Sequence, residues 1–130
     1  MNKIFNIIKY LGVIFAALVM LGPAAAQRDN APRERVQVSI ADVSVKALPP
    51  EAREVLNLIE KGGPYPFDRD GIVFGNFEKR LPIKARGYYH EFTVKTPGVK
   101  HRGARRIVTG AGGEKFYSDD HYKTFKRIVP

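Results

Sequence analysis

The 130-residue chain contains no cysteine, which excludes a disulfide-stapled fold, a cysteine zinc site and a thiol nucleophile. It is also short of acid: 13 Asp and Glu stand against 22 Lys and Arg, a formal net charge of +9. That excess favours a polyanionic partner, and charge alone does not choose between nucleic acid and an anionic membrane surface. Apolar runs are scarce; one, Leu11 to Leu21, is interrupted only by Gly12. It is about half the ~20 residues that a membrane-spanning helix needs. The sequence has no internal repeat and no low-complexity tract. Its length suits one domain, and 44% hydrophobic with 27% charged residues is a globular composition.

Residues 1–26 have a layout of their own. Lys3 and Lys9 precede the apolar run, Pro23-Ala24-Ala25-Ala26 closes the segment, and no acidic residue occurs before Asp29. This pattern predicts a secretory signal peptide cleaved after Ala26, hence a secreted protein, extracellular or periplasmic. The short apolar run disfavours the alternative, a retained anchor. The remaining 104 residues hold 20 basic and 13 acidic side chains, a net charge of +7. So small an exported domain, lacking disulfides, has to rest on packing.

Residues 27–46 read as a polar leader, Gln27 to Arg35, followed by a first extended segment carrying Val36, Val38, Ile40, Val43 and Val45. The domain proper is expected over 47–130. Leu48-Pro49-Pro50 opens a helix that runs to about Lys61, with Glu51 and Glu54 near the positive end of the dipole. Ala52, Val55, Leu56 and Ile59 form its apolar stripe, and Gly62-Gly63 ends it. Five short strands follow: 72–74, 86–94, 105–109, 115–117 and 124–129. Asp70-Gly71, Pro97-Gly98, Gly110 to Gly113 and Ser118-Asp119-Asp120 supply turns between them. A helix followed by a run of strands predicts an α+β fold, one main helix packed on a twisted antiparallel β-sheet.

Alternation along 86–94 assigns Tyr88, His90, Phe92 and Val94 to a buried face and Tyr89, Glu91 and Thr93 to a polar surface. Downstream lie the basic knot Arg102, Arg105 and Arg106, then His121 beside Tyr122. One carboxylate, two arginines and one histidine suit metal-free RNA cleavage. A base takes the 2′-hydroxyl proton, an acid protonates the leaving 5′-oxygen, and cations hold the charge on phosphorus. Histidine titrates near neutrality, arginine grips phosphate bidentately, and dependence on the 2′-hydroxyl selects RNA over DNA. Each residue also has a plain reading: a solvated Glu91, edge charges at Arg105 and Arg106, a surface His121.

The segments LPPEAREVLNLIEKGGPYPFDRDGIVFGN, GYYHEFTVKTPGVKHRGARRIVTG and DDHYKTFKRI resemble, in order, the guanyl-specific microbial ribonucleases. That group includes barnase; the likeness is to its small bacterial secreted branch and spans Ala47 to about Ile128. The resemblance implies the microbial ribonuclease fold, with Glu91 as general base and His121 as general acid. It further implies that Arg102 and Arg106 stabilise the phosphorane and that Tyr122 lines the site. The guanine loop would be Phe74-Gly75-Asn76-Phe77-Glu78. There Glu78 would accept from guanine N1–H and the amino group, backbone N–H groups would reach O6, and an aromatic ring would stack. His90 and His101 match no catalytic position; His90 is read as structural, and His101 as a charge near the substrate.

Two departures stand out. Gly75 and Phe77 replace polar or basic residues of close relatives, which bears on the strength of guanine preference more than on its existence. The disulfide that ties the chain ends in some relatives is absent. The implied activity is an endoribonuclease cutting single-stranded RNA 3′ of guanosine through a 2′,3′-cyclic phosphate, with no metal or organic cofactor. A non-catalytic basic RNA- or membrane-binding module, or an antibacterial toxin on the same scaffold, is the competing reading. Expected partners are single-stranded RNA and a small acidic inhibitor of the barstar type. The protein is expected to be a monomer, with no membrane contact after signal cleavage.

Overall fold

The computed structural model of the chain describes residues 38–130; the signal-peptide reading of 1–26, the polar leader Gln27 to Arg35 and the start of the extended segment at Val36 lie outside them. The elements in order are β1 (Ala41–Ser44), a 3-10 turn (Val45–Ala47), α1 (Pro50–Lys61), β2 (Val73–Phe74), β3 (Tyr89–Thr93), β4 (Arg106–Gly110), β5 (Lys115–Ser118) and β6 (Lys126–Val129). Strand β1 thus lies in the segment read as extended from its branched residues.

Helix α1 begins with Pro50 in its first turn, where the missing N–H costs nothing. It ends at Gly62, whose φ of 77° allows its amide to close on Ile59 while Gly63 N–H donates to Leu58 O at 2.9 Å. Ala52, Val55 and Leu56 are buried and Ile59 is packed beside them, as the apolar stripe predicts.

The strands form one six-stranded sheet in the order β1-β6-β5-β4-β3-β2. Pairs β2–β3, β3–β4, β4–β5 and β5–β6 are antiparallel, whereas β1 runs parallel to β6 with Ala41 opposite Lys126 and Ser44 opposite Val129. The short connections between β4 and β5 and between β5 and β6 leave no room for a crossover and require antiparallel pairs; β1 and β6 are separated by the whole domain and are free to be parallel. Asp42 and Arg127, opposite each other in that pair, are bridged at 3.0 Å.

Both faces of the sheet are covered. Phe92, Val94, Ile107 and Tyr117 pack under Ala52, Val55 and Leu56 of α1, with Leu48 beside them. On the opposite face Tyr89, Val108 and Phe116 pack with Leu81 and Phe125, which come from loops. This second core corrects the expectation that Tyr89, Glu91 and Thr93 face a polar surface: all three are buried. Alternation does put Phe92 and Val94 under the helix, but Tyr88, expected beside them, packs with Tyr89 in the second core, and both Tyr88 and His90 are only half-buried. Leu81 and Phe125 cover Tyr89, while Arg102 and Tyr122 close over Glu91 and Arg102 over Thr93.

Candidate active site

Glu91 is in the middle of β3, opposite Val108 of β4, and is 6% exposed. A buried carboxylate needs partners, and three groups reach it. Arg102 Nη2 donates to Oε1 at 3.0 Å, the Tyr122 hydroxyl donates to Oε2 at 2.5 Å, and Arg69 Nε stands 4.0 Å from Oε1.

Arg102 belongs to the loop between β3 and β4. Its Nε donates to Thr93 Oγ1 at 2.9 Å, two residues beyond Glu91 on the same face. The chain turns immediately after it at Gly103, where φ is +65° and an added Cβ would lie 2.6 Å from Thr96 Oγ1. Only glycine suits that corner. The exposed His101 accepts the Gly103 amide through Nδ1 at 3.0 Å, so its ring braces the same corner.

Arg106 is in β4, opposite Thr93 on one side and Ser118 on the other, and is 2% exposed. Its Nη1 donates to the carbonyls of Arg105 at 2.8 Å and Gly103 at 2.9 Å, and its Nε donates to the Tyr122 hydroxyl at 3.0 Å. Burial of this charge is tolerable because its Nε and Nη1 donate to fixed acceptors. Arg105, grouped with these arginines by the sequence, points elsewhere: its Nη1 is 4.0 Å from Glu51 of α1. On a strand, adjacent residues face opposite ways.

Tyr122 therefore links base and cation, accepting from Arg106 while donating to Glu91. Burial first, then the hydrogen bond to and charge of Glu91, push its phenol up to about 12, so it remains a donor at neutral pH. His121 and Tyr122 both adopt left-handed backbone, with φ of 55° and 69°. Asp120 holds that strained turn. Its carboxylate accepts from Ser118 Oγ at 2.9 Å, Thr124 N at 2.9 Å and Thr124 Oγ1 at 2.6 Å, while Ser118 Oγ accepts from Tyr122 N. Burial works against this carboxylate, yet the hydrogen bonds from Thr124, Ser118 and the Lys123 amide outweigh it and bring it down to about 2. The His121 amide donates to Ala104 O at 2.9 Å, tying the turn to the arginine loop.

His121 and Tyr122 open onto a concavity of about 200 Å³ lined also by Phe74, Asn76, Phe77, Glu78, Arg80 and Phe125. Phe74 stacks on Tyr122 with centroids 5.0 Å apart and planes 24° apart. Asn76 braces the loop: its side chain exchanges hydrogen bonds with Leu81 N at 3.1 Å and Leu81 O at 2.9 Å. Its amide group is consumed there, so this residue shapes the pocket through the backbone. Glu78 is exposed and accepts from Arg80 Nε at 2.8 Å. Phe77, 84% exposed, lies over Gly75, where an added Cβ would come within 2.5 Å of the ring. The two departures of this loop are thus one feature, since the bare glycine makes room for the phenyl group.

Glu91, Arg102, Arg106 and Tyr122 form one hydrogen-bonded cluster, and Phe74, Asn76, Glu78 and His121 line the adjoining concavity, with Tyr122 common to both. Sequence reasoning missed four contributors: Arg69, Thr93, Asp70 and Asp120. The parity shared by Glu91 and Thr93 was a usable signal; nothing local marked Arg69. Asp70 accepts the Thr93 amide at 2.7 Å. His90 Nδ1 is 2.8 Å from the Gly71 carbonyl, which only accepts, so this nitrogen carries the proton and the ring pins the turn before β2.

A family profile described as ribonuclease matches residues 31–129. The guanyl-specific ribonuclease St of Saccharopolyspora erythraea is 59% identical over 93 residues, covering 72% of this chain and 87% of that protein. A solved structure of ribonuclease Sa2 complexed with mononucleotides is 58% identical and superposes with a TM-score of 0.70 over 71% of this chain and 96% of the other. A second, of ribonuclease Sa2 with guanosine-2′-cyclophosphate, is 58% identical with a TM-score of 0.68 and covers 71% of this chain and 98% of that one. The match over most of the chain and the shared fold make this protein a member of the ribonuclease family.

Proposed function

We propose that the protein is a guanyl-specific endoribonuclease, acting on single-stranded RNA without a metal or organic cofactor. The observation that carries this reading is the chain Arg102–Glu91–Tyr122–Arg106, set beside a concavity that holds His121 and the exposed carboxylate of Glu78. The guanyl-specific relative and the structure holding guanosine-2′-cyclophosphate support the same reading.

Glu91 takes the proton of the guanosine 2′-hydroxyl, and the freed oxygen attacks phosphorus. Arg102 and Arg106 hold the negative charge that grows on the phosphoryl oxygens. The His121 imidazolium gives its proton to the departing 5′-oxygen, leaving a 2′,3′-cyclic phosphate. Water then opens the ring while His121 acts as base and Glu91 returns the proton. In the concavity Glu78 exchanges its Arg80 partner for the guanine N1–H and amino donors, two adjacent groups that one carboxylate can span. Phe74 and the exposed Phe77 supply apolar flanks for the base.

The reading extends to secretion behind residues 1–26, to an RNase domain beginning near residue 47, and to a monomer met by a small acidic inhibitor steered by charge. The test is product analysis on GpN, ApN, UpN and CpN with EDTA present. GpN alone should yield the 2′,3′-cyclic phosphate, and Glu91→Gln and His121→Ala should each lower kcat by about 10²–10⁴. RNA left whole would favour a binding module; full turnover in both variants would refute the assigned roles.

A further inference from the structure

We infer that Arg69 is a third phosphate-binding residue of this site, one that moves from the base to the phosphate as negative charge moves the same way. This rests on the ribonuclease reading above. The three arginines around Glu91 differ in what their donors already do. Arg106 has Nε on Tyr122 and Nη1 on backbone carbonyls. Arg102 has Nε on Thr93 and Nη2 on Glu91. Arg69 makes no side-chain hydrogen bond among the described residues, is 63% exposed along its side chain, and keeps Nε 4.0 Å from Glu91 Oε1. That is attraction without a hydrogen bond.

The root of this free side chain is nonetheless fixed. Asp70 accepts Thr93 N at 2.7 Å and Phe67 N at 3.2 Å, Gly71 N donates to Glu91 O at 2.7 Å, and Glu91 N donates to Ile72 O at 2.9 Å. The backbone on either side of Arg69 is therefore laced to the strand that carries the base, while the guanidinium remains unconstrained.

The reaction transfers one proton from the 2′-hydroxyl to Glu91. The carboxylate loses its negative charge and the phosphoryl group gains one as the new O–P bond forms. A cation held only by the carboxylate is released at that moment, beside the group whose charge is growing. Arg69 thus binds the transition state better than the ground state, which is the condition for acceleration. As a static surface ion pair at this distance and exposure it contributes little to stability, so its removal leaves the fold intact.

The test compares the full protein with Arg69→Gln and Arg69→Lys. Guanosine and 3′-GMP are titrated calorimetrically, and GpN turnover is followed in parallel. For Arg69→Gln, 3′-GMP affinity should fall about fivefold to twentyfold with guanosine affinity unchanged, and kcat should fall about tenfold. Arg69→Lys should recover part of both losses, since it restores charge without the fork. Equal affinities for 3′-GMP in wild type and Arg69→Gln, or equal weakening of guanosine and 3′-GMP, would overturn the inference. The two titrations need no turnover, so an unsubstituted protein that fails to cleave GpN would count against the ribonuclease reading separately.

Discussion

Removal of the Tyr122 hydroxyl, by Tyr122→Phe, isolates the junction on which the site depends. The ring stays, so its stack on Phe74 at 5.0 Å should persist. Two bonds are lost: the donation to Glu91 Oε2 at 2.5 Å and the acceptance from Arg106 Nε at 3.0 Å. Each engages a charged group, and such bonds contribute about 1.5–3 kcal/mol apiece. They share one oxygen and are not additive, so the expected destabilisation is about 2–3 kcal/mol. For a domain of this size that lowers Tm by about 10–20 °C. Differential scanning calorimetry at pH 7 measures it directly. Combining the change with Glu91→Gln in a double-mutant cycle should show a coupling of about 1 kcal/mol or more. The same variant should bind guanosine normally and lose about tenfold to a hundredfold in kcat, because both Glu91 and Arg106 lose their shared orienting group. A Tm shift below about 3 °C, or additive single and double variants, would refute the claim that this hydroxyl joins base and cation.

Three further outcomes follow from the loops around the site. Asp120 has its carboxyl brought down to about 2, below its ordinary 3.8. Its contribution is therefore present above pH 4 and lost as pH falls towards 2. Chemical denaturation between pH 2 and 5 should show that acid limb in the wild type and a shallower one in Asp120→Asn. Asn76→Ala removes the brace on Leu81 and should cost about 1–3 kcal/mol, with guanosine affinity falling as the loop loosens; unchanged melting and binding would contradict the bracing role. Glu78→Gln should erase most discrimination between GpN and IpN, since glutamine keeps one acceptor oxygen and sets its NH2 donor against the other guanine donor; a preserved preference in kcat/KM would place recognition elsewhere.

Local order was readable from the chain itself. Helix α1 announces its start with Pro49-Pro50, its buried stripe by spacing and its end by Gly62-Gly63. Strands β3 to β6 are delimited by Pro97-Gly98, Gly110 to Gly113 and Ser118-Asp119-Asp120. These signals work because backbone preferences act over a few residues. The family motifs also named Glu91, Arg102, Arg106, His121 and Tyr122, although they carried no information on how these groups are held.

The tertiary structure decided what distance in sequence conceals. Alternation groups Glu91 with Tyr89 and Thr93, but Leu81 and Phe125 cover Tyr89 in a second core while Arg102 and Tyr122 close over the carboxylate. Arg105 and Arg106 are neighbours in the chain, yet one turns towards Glu51 of α1 and the other into the site. Arg69 is 22 positions before Glu91 and is brought to 4.0 Å by the pairing of β2 with β3. The sequence alone determined where the helix, the strands and the turns lie, since spacing and turn preferences act over a few residues. The protein's reactive centre is made of long-range contacts, whose geometry exists only once the sheet has closed around Glu91.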